Sequence, residues 1–208
     1  MPYIGNDIVD LRQPANVNSS RDSRFLKKVL TAAETEFVRN ADNPAAALWS
    51  FWAAKEAAYK VIRKINNGAS FLPRRWEVLL CPASRHHFDG EVALSGESKI
   101  FVRLFLEEEF LHCLAADEAG ALDKIICSHA FLADEESVSE ADASSFLRDF
   151  AARKIAEYLR VNTSVVRIER NIIEGAPGAP RLLVGDAVSF GDISLSHDGR
   201  LVAYAFLP

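Results

Sequence analysis

Apolar positions recur along the chain in two rhythms, and the two alternate in an ordered way. Residues 3–11, YIGNDIVDL, read as a short β-run with a glycine near its start. In RFLKKVLTAAETEFV, Phe25, Leu26, Val29, Leu30 and Phe37 fall at helical spacing. Asn43-Pro44 predicts a helix start with proline at the first helical position. The Ala-rich segment behind it, AAALWSFWAAKEAAYKVIRKI, predicts a long helix stopped by Asn66-Asn67-Gly68. Three β-runs follow, RRWEVLL, GEVAL and KIFVRLFL, and FLHCLAADE is placed to pair with the last as a hairpin.

The same plan then repeats. A strand, DKIICSHAFLA, leads to a helix, SEADASSFLRDFAARKIAEYLRV, with Ser139 and Asp142 as caps. VVRIER, a Gly/Pro-rich turn (EGAPGAP) and RLLV come next. DISLSHDGRLVAYAF closes the chain as a hairpin turning at Asp198-Gly199. Helix-then-strands occurs twice, which predicts an α+β fold built as a pseudo-two-fold pair of similar halves. The expected division is 1–115 and 116–208, with a site at the interface of the halves.

Charge narrows the function. Lys and Arg number 24 against 29 Asp and Glu, a net charge of −5 that argues against a dedicated nucleic-acid binder. No run approaches the roughly 20 apolar residues of a membrane helix, and the N-terminus lacks the basic and apolar regions of a secretory signal. Cys81, Cys113 and Cys127 are scattered and have no CxxC spacing, so neither a disulfide framework nor a zinc knuckle is indicated. A cytoplasmic, reduced protein with no membrane or nucleic-acid partner is expected.

Three places combine titratable side chains with defined local structure. In Gly5-Asn6-Asp7-Ile8-Val9-Asp10, strand alternation puts Asp7 on one face with Gly5 and Val9, and Asp10 on the other with Ile8. In Trp52-Ala53-Ala54-Lys55-Glu56-Ala57-Ala58-Tyr59-Lys60, positions 52, 56 and 60 share a helix face, so Glu56 stands between an indole and an ammonium. In Ser194-Leu195-Ser196-His197-Asp198-Gly199, Ser194 and Ser196 share a face if Leu195 points inward. Taken singly, each has a plain structural explanation: an edge-strand aspartate, a solvated i, i+4 pair worth roughly 0.2–0.5 kcal/mol, and a turn histidine. His86, His87, His112 and His129 lack partners at metal-ligand spacing.

Together, GNDIVDL, WAAKEAAYK and ISLSHDGRLVAYA closely resemble the motif set of the 4'-phosphopantetheinyl transferases. Residues 4–65 are similar to the start of the short holo-acyl-carrier-protein synthases. Residues 148–206 are similar to the N-terminal half of the longer transferases, including the G-x-P turn at Gly178-Ala179-Pro180. The order of motifs reverses that of the longer enzymes and resembles the subunit interface of the short ones fused into one chain. Ala179 stands where relatives often carry a lysine; Arg181, Arg167 or Arg170 would have to supply that charge.

The resemblance implies transfer of the 4'-phosphopantetheine arm of coenzyme A to a serine of an acyl or peptidyl carrier protein. The alternative from another class is a non-catalytic coenzyme A or carrier-protein binding module. It implies Mg²⁺ held by Asp7 and Glu56, with Lys60 stabilising phosphate or protonating the leaving group. Either Glu56 or a water on the metal would be the base. His197, Ser196, Lys55 and Arg181 would contact coenzyme A. Carrier proteins are acidic, and residues 12–28 hold Arg12, Arg21, Arg24, Lys27 and Lys28 against one acid, Asp22. Both sides of one site lie in one chain, so a self-sufficient monomer serving a fatty-acid, polyketide or peptide synthase is expected.

Overall fold

The computed structural model describes residues 1–94, 98–132, 139–173, 176–185, 187–188 and 191–208. The first strand, β1 (Ile4–Asp10), is followed by a short turn α1 (Pro14–Val17) and three helices, α2 (Ser23–Val29), α3 (Ala32–Asn40) and α4 (Pro44–Ile65). The helical pattern of residues 24–38 is not one helix. Thr31 leaves the helix in an extended conformation and closes a capping box with Glu34 at the head of α3. Phe37 consequently points outward, 61% exposed, against the edge of Phe51. Asn43 caps α4 by accepting the Ala46 N–H at 3.0 Å, and Pro44 fills its first turn.

Strands β2 (Glu77–Pro82), β3 (His87–Ala93), β4 (Lys99–Leu106) and β5 (Phe110–Ala116) join β1 in an antiparallel sheet of order β1-β5-β4-β3-β2. One face carries α4, whose Ala53, Ala57 and Val61 pack with Val9, Val102 and Leu111. Gly5 makes this possible: a Cβ there would lie 2.0 Å from the Ala57 carbonyl oxygen.

The second set of elements is β6 (Ile126–Phe131), α5 (Glu140–Leu159), β7 (Val166–Ile173), β8 (Ala176–Val184), β9 (Ala187–Val188), β10 (Asp192–Asp198) and β11 (Leu201–Leu207). Here β6 pairs with β11, β11 with β10, and β8 with β7. That repeats the first plan, in which β1 pairs with β5, β5 with β4, and β3 with β2. Gly178-Ala179-Pro180, expected in a turn, lies within β8, where Pro180 sits opposite Arg170 of β7. The rest of that turn, residues 174–175, lies outside the described residues. At the closing hairpin, Gly199 takes φ +53°, a left-handed conformation that suits glycine.

Alternation sorts β11 between two cores. Leu201, Ala203, Ala205 and Leu207 meet Ile4, Ile8, Phe110 and Leu114 of the first sheet. Tyr204 and Phe206 face α5 with Leu195 of β10. The layers therefore run α4, first sheet, second sheet, α5.

Where the two sheets meet, β1 and β10 run parallel and are joined by side chains. The N–H groups of Ile4, Asn6, Ile8 and Asp10 donate to Asp192 Oδ2 (2.7 Å), Ser194 Oγ (3.0 Å), Ser196 Oγ (3.2 Å) and Asp198 Oδ2 (2.9 Å). Each rung joins residues 188 apart. The matching carbonyls of Ile4 and Asn6 accept from Lys64 and Lys60 of α4, both at 2.7 Å. Every other residue of β10 is thus polar because it serves as backbone partner to a strand with no neighbour of its own on that edge.

Candidate active site

This joint brings three elements to one cleft. Asp7 faces α4 from β1, and Lys60 reaches it with Nζ 3.0 Å from Oδ1. Ser196 donates to the same oxygen at 2.8 Å from β10. Among the described residues no hydrogen bond engages Asp7 Oδ2. Glu56, one turn before Lys60, likewise makes none. Burial first, and then the charge of Asp7, raise the Glu56 pKa from 4.5 to about 7, against the opposing pull of Lys60. Two carboxylates thus lie near enough to feel each other's charge, with Lys60 paired to Asp7 and acceptor capacity unused.

The cleft has two arms that share Lys60, Arg170 and Leu195. One, of about 200 Å³, runs along Glu56, Tyr59 and Arg63 on α4 to Gly178–Pro180 on β8. The other, of about 230 Å³, is lined by Asp7, Ser196, His197 and Ser144. Burial pushes the His197 pKa below its ordinary value, helped by Lys60 and Arg170 and opposed by Glu140 and Asp7. At neutral pH the ring is therefore an uncharged hydrogen-bonding group. Arg170 and Arg148 lie close enough for each other's charge to be felt, and among the described residues neither has a carboxylate partner. Arg148 instead donates to Ser144 Oγ at 2.8 Å. Two adjacent guanidiniums without an acid favour an anion beside them.

Asp7, Glu56, Lys60, Ser196 and His197 are thus brought together, whereas two expected residues are not. Lys55 is fully buried on another side of α4, where Nζ donates to Glu34 and to the Val29 carbonyl. Burial draws its pKa down, against Glu34. It is a core ion pair and not a coenzyme A contact. Arg181 is exposed on β8 and lines neither arm; of the three arginines named for this charge, Arg170 lines both.

Sequence reasoning missed Lys64 and Asp192. Lys64 Nζ donates to both Asp192 carboxylate oxygens (2.9 and 2.8 Å) and to the carbonyls of Ile4 and Ile193. Its signal was present, because the helix row 52, 56, 60 continues to 64. Asp10 is also structural, fully buried and gripped by two Arg200 nitrogens, Nε at 2.9 Å and Nη2 at 3.0 Å.

Among the described residues no cluster of three or more metal-ligating side chains occurs. Mg²⁺ does not require one, since it is commonly held by one or two carboxylates together with substrate phosphates. The unused oxygens of Asp7 and Glu56, facing a cationic cleft, fit that donor set.

An α+β pair with carboxylates and cations at its joint is built to receive an anion together with a cation. A family model for the 4'-phosphopantetheinyl transferase superfamily matches residues 3–115. That is more than half of the chain, which therefore belongs to this superfamily. Asp7, Glu56 and Lys60 fall inside the match; Ser196 and His197 lie beyond it. Among solved structures, an apo-ACPS structure from Chronobacterium ammoiniagenes is similar at 18% identity, covering 56% of this chain and 95% of its own, with a TM-score of 0.44. No curated protein matches the chain. No described helix is long and apolar enough to cross a membrane.

Proposed function

We propose that this transferase moves the 4'-phosphopantetheine group of coenzyme A onto a serine of an acyl or peptidyl carrier protein. The observation that supports it is the meeting of Asp7, Glu56 and Lys60 with Ser196 and His197 in one two-armed cleft. The serine oxygen forms a bond to the phosphorus nearer the pantetheine. The bond from that phosphorus to the bridging oxygen breaks, and adenosine 3',5'-bisphosphate leaves. Mg²⁺ held by Asp7 and Glu56 would supply charge neutralisation at the pyrophosphate.

The chain's own groups do the rest. Glu56, which lines the arm beside Lys60, would be the base that accepts the hydroxyl proton. Lys60, at the junction of the two arms, meets the negative charge that grows on the leaving phosphate. Arg170, Arg148 and His197 line or flank the arm beyond Asp7 and suit the donor's further phosphate.

For the carrier, a groove of about 610 Å³ beside the cleft joins Phe25, Trp52 and Phe71 to Lys28, Arg74 and Arg75. It continues the basic surface of residues 12–28, so an acidic protein with an apolar contact fits it. We place the whole site within one chain, between residues 1–115 and 116–208, and expect the monomer to be active. The test is incubation with coenzyme A, Mg²⁺ and an apo carrier protein, reading the carrier by mass. One added phosphopantetheine is expected. An unchanged carrier mass, or full transfer in excess chelator, would overturn the proposal or its metal.

A further inference from the structure

We infer that Ser196 is a positioning residue for Asp7, and so for the cation, and is not a contact to coenzyme A. The inference rests on reading Asp7 as a metal ligand. Ser194 and Ser196 occupy equivalent rungs of the β1–β10 joint, two residues apart. Both are buried, and each accepts one β1 N–H, from Asn6 and Ile8 respectively. They differ in where the hydroxyl proton goes. Ser196 donates it to Asp7 Oδ1 at 2.8 Å.

A serine has one proton to give. Spent on Asp7, it is not available to a phosphate. Nor can the hydroxyl turn away freely, because the Ile8 N–H would then lose its buried acceptor. Ser196 is held from behind by backbone and holds the carboxylate in front. Lys60 meets the same Oδ1 from α4 at 3.0 Å. With both donors on one oxygen, the carboxylate plane is set and Oδ2 is left clear. The first sheet carries the ligand, and the second sheet aims it. His197, the next residue on β10, lines the same arm beside Arg170, and among the described residues no hydrogen bond ties its ring to Asp7.

The pairing of rungs supplies its own control. Mn²⁺ binding to the free protein is read by electron paramagnetic resonance, with chemical unfolding measured alongside. Ser196→Ala should weaken Mn²⁺ binding about tenfold, the usual scale for losing a hydrogen bond to a ligating carboxylate. Ser194→Ala should lose similar stability and bind Mn²⁺ as the unaltered protein does. Ser196→Thr, which keeps the hydroxyl, should stay within about twofold, and decides the matter if the alanine variant does not fold. Coenzyme A affinity without the cation should be unchanged in Ser196→Ala. Equal weakening of Mn²⁺ by both alanine variants, a tenfold loss in Ser196→Thr, or a coenzyme A loss matching that of His197→Ala would each overturn the positioning role. If Asp7→Ala binds Mn²⁺ undiminished, Asp7 is no ligand and both readings fall. If Asp7→Ala loses binding while Ser196→Ala keeps it, only the positioning role falls.

Discussion

Lys55 and Lys60 stand five residues apart on α4, each ion-paired to a carboxylate from an earlier element, yet their surroundings differ completely. Lys55 meets Glu34 with both side chains almost wholly out of water. Every oxygen is used: Glu34 also accepts the N–H groups of Thr31 and Val78. Lys60 meets Asp7 at the wall of a cleft, 29% exposed, and one Asp7 oxygen is left over. A saturated pair resists change, because removing either partner strands a charge. An unsaturated pair at a cavity is poised to trade partners. The difference separates support from chemistry more sharply than motif membership does.

The widest gap should appear on breaking the sealed pair. Glu34→Ala leaves the Lys55 charge buried alone and should lower unfolding free energy by about 3–5 kcal/mol, measured by denaturant titration. Transfer per folded molecule should persist; its selective loss would erase the contrast. Lys60→Ala should do the reverse. Removing a donor aimed at developing charge typically slows a reaction by about 10²–10³, and stability should fall by less than in Glu34→Ala, because Lys60 is 29% exposed where Lys55 is fully buried. Steady-state kinetics beside unfolding curves would separate the two effects.

Glu56 sharpens the point through pH. Its pKa stands at about 7 in the fold against an ordinary 4.5. Between those values the folded chain keeps a proton that the unfolded chain has lost, so stability falls as pH rises through this window. Glu56→Gln should therefore stabilise the cation-free protein by roughly 2–3 kcal/mol above pH 7, with the gain vanishing toward pH 4.5. A gain independent of pH would show that burial of the charge is not its cause. Smallest is His197→Ala. An uncharged imidazole donating or accepting one hydrogen bond should be worth about 1 kcal/mol of coenzyme A affinity, read by calorimetry, with little change in rate at saturation. The affinity difference should widen as pH falls and the ring gains charge.

Much of this was legible in the residues. Asp7 and Gly5 share a strand face, and Glu56 and Lys60 share a helix face, so two local periodicities already placed three cleft residues. Lys55 was not legible, because its fate depends on Glu34, which lies 21 residues earlier and arrives only because Thr31 breaks the chain into two helices. Periodicity shows which face a residue takes but not what covers that face. Arg170 sits opposite Pro180 and Arg181 opposite Glu169 on one hairpin, and choosing between them needed the cleft itself. The alternation of Ser194 and Ser196 was visible, but its extension to Asp192 and Asp198 had meaning only once the outer edge of β1 was seen to lack a backbone partner.

The β1–β10 joint also sets a schedule. β1 leaves the ribosome 188 residues ahead of the side chains that pair with its edge. At about 5–20 residues per second, that edge waits on the order of 10–40 s. An unpaired strand edge is a template for wrong partners. The delay is tolerable because Lys60 and Lys64 on α4 can cap the Asn6 and Ile4 carbonyls as soon as that helix docks. The lysine proposed to act in the cleft would serve, during synthesis, as a guard on an open strand.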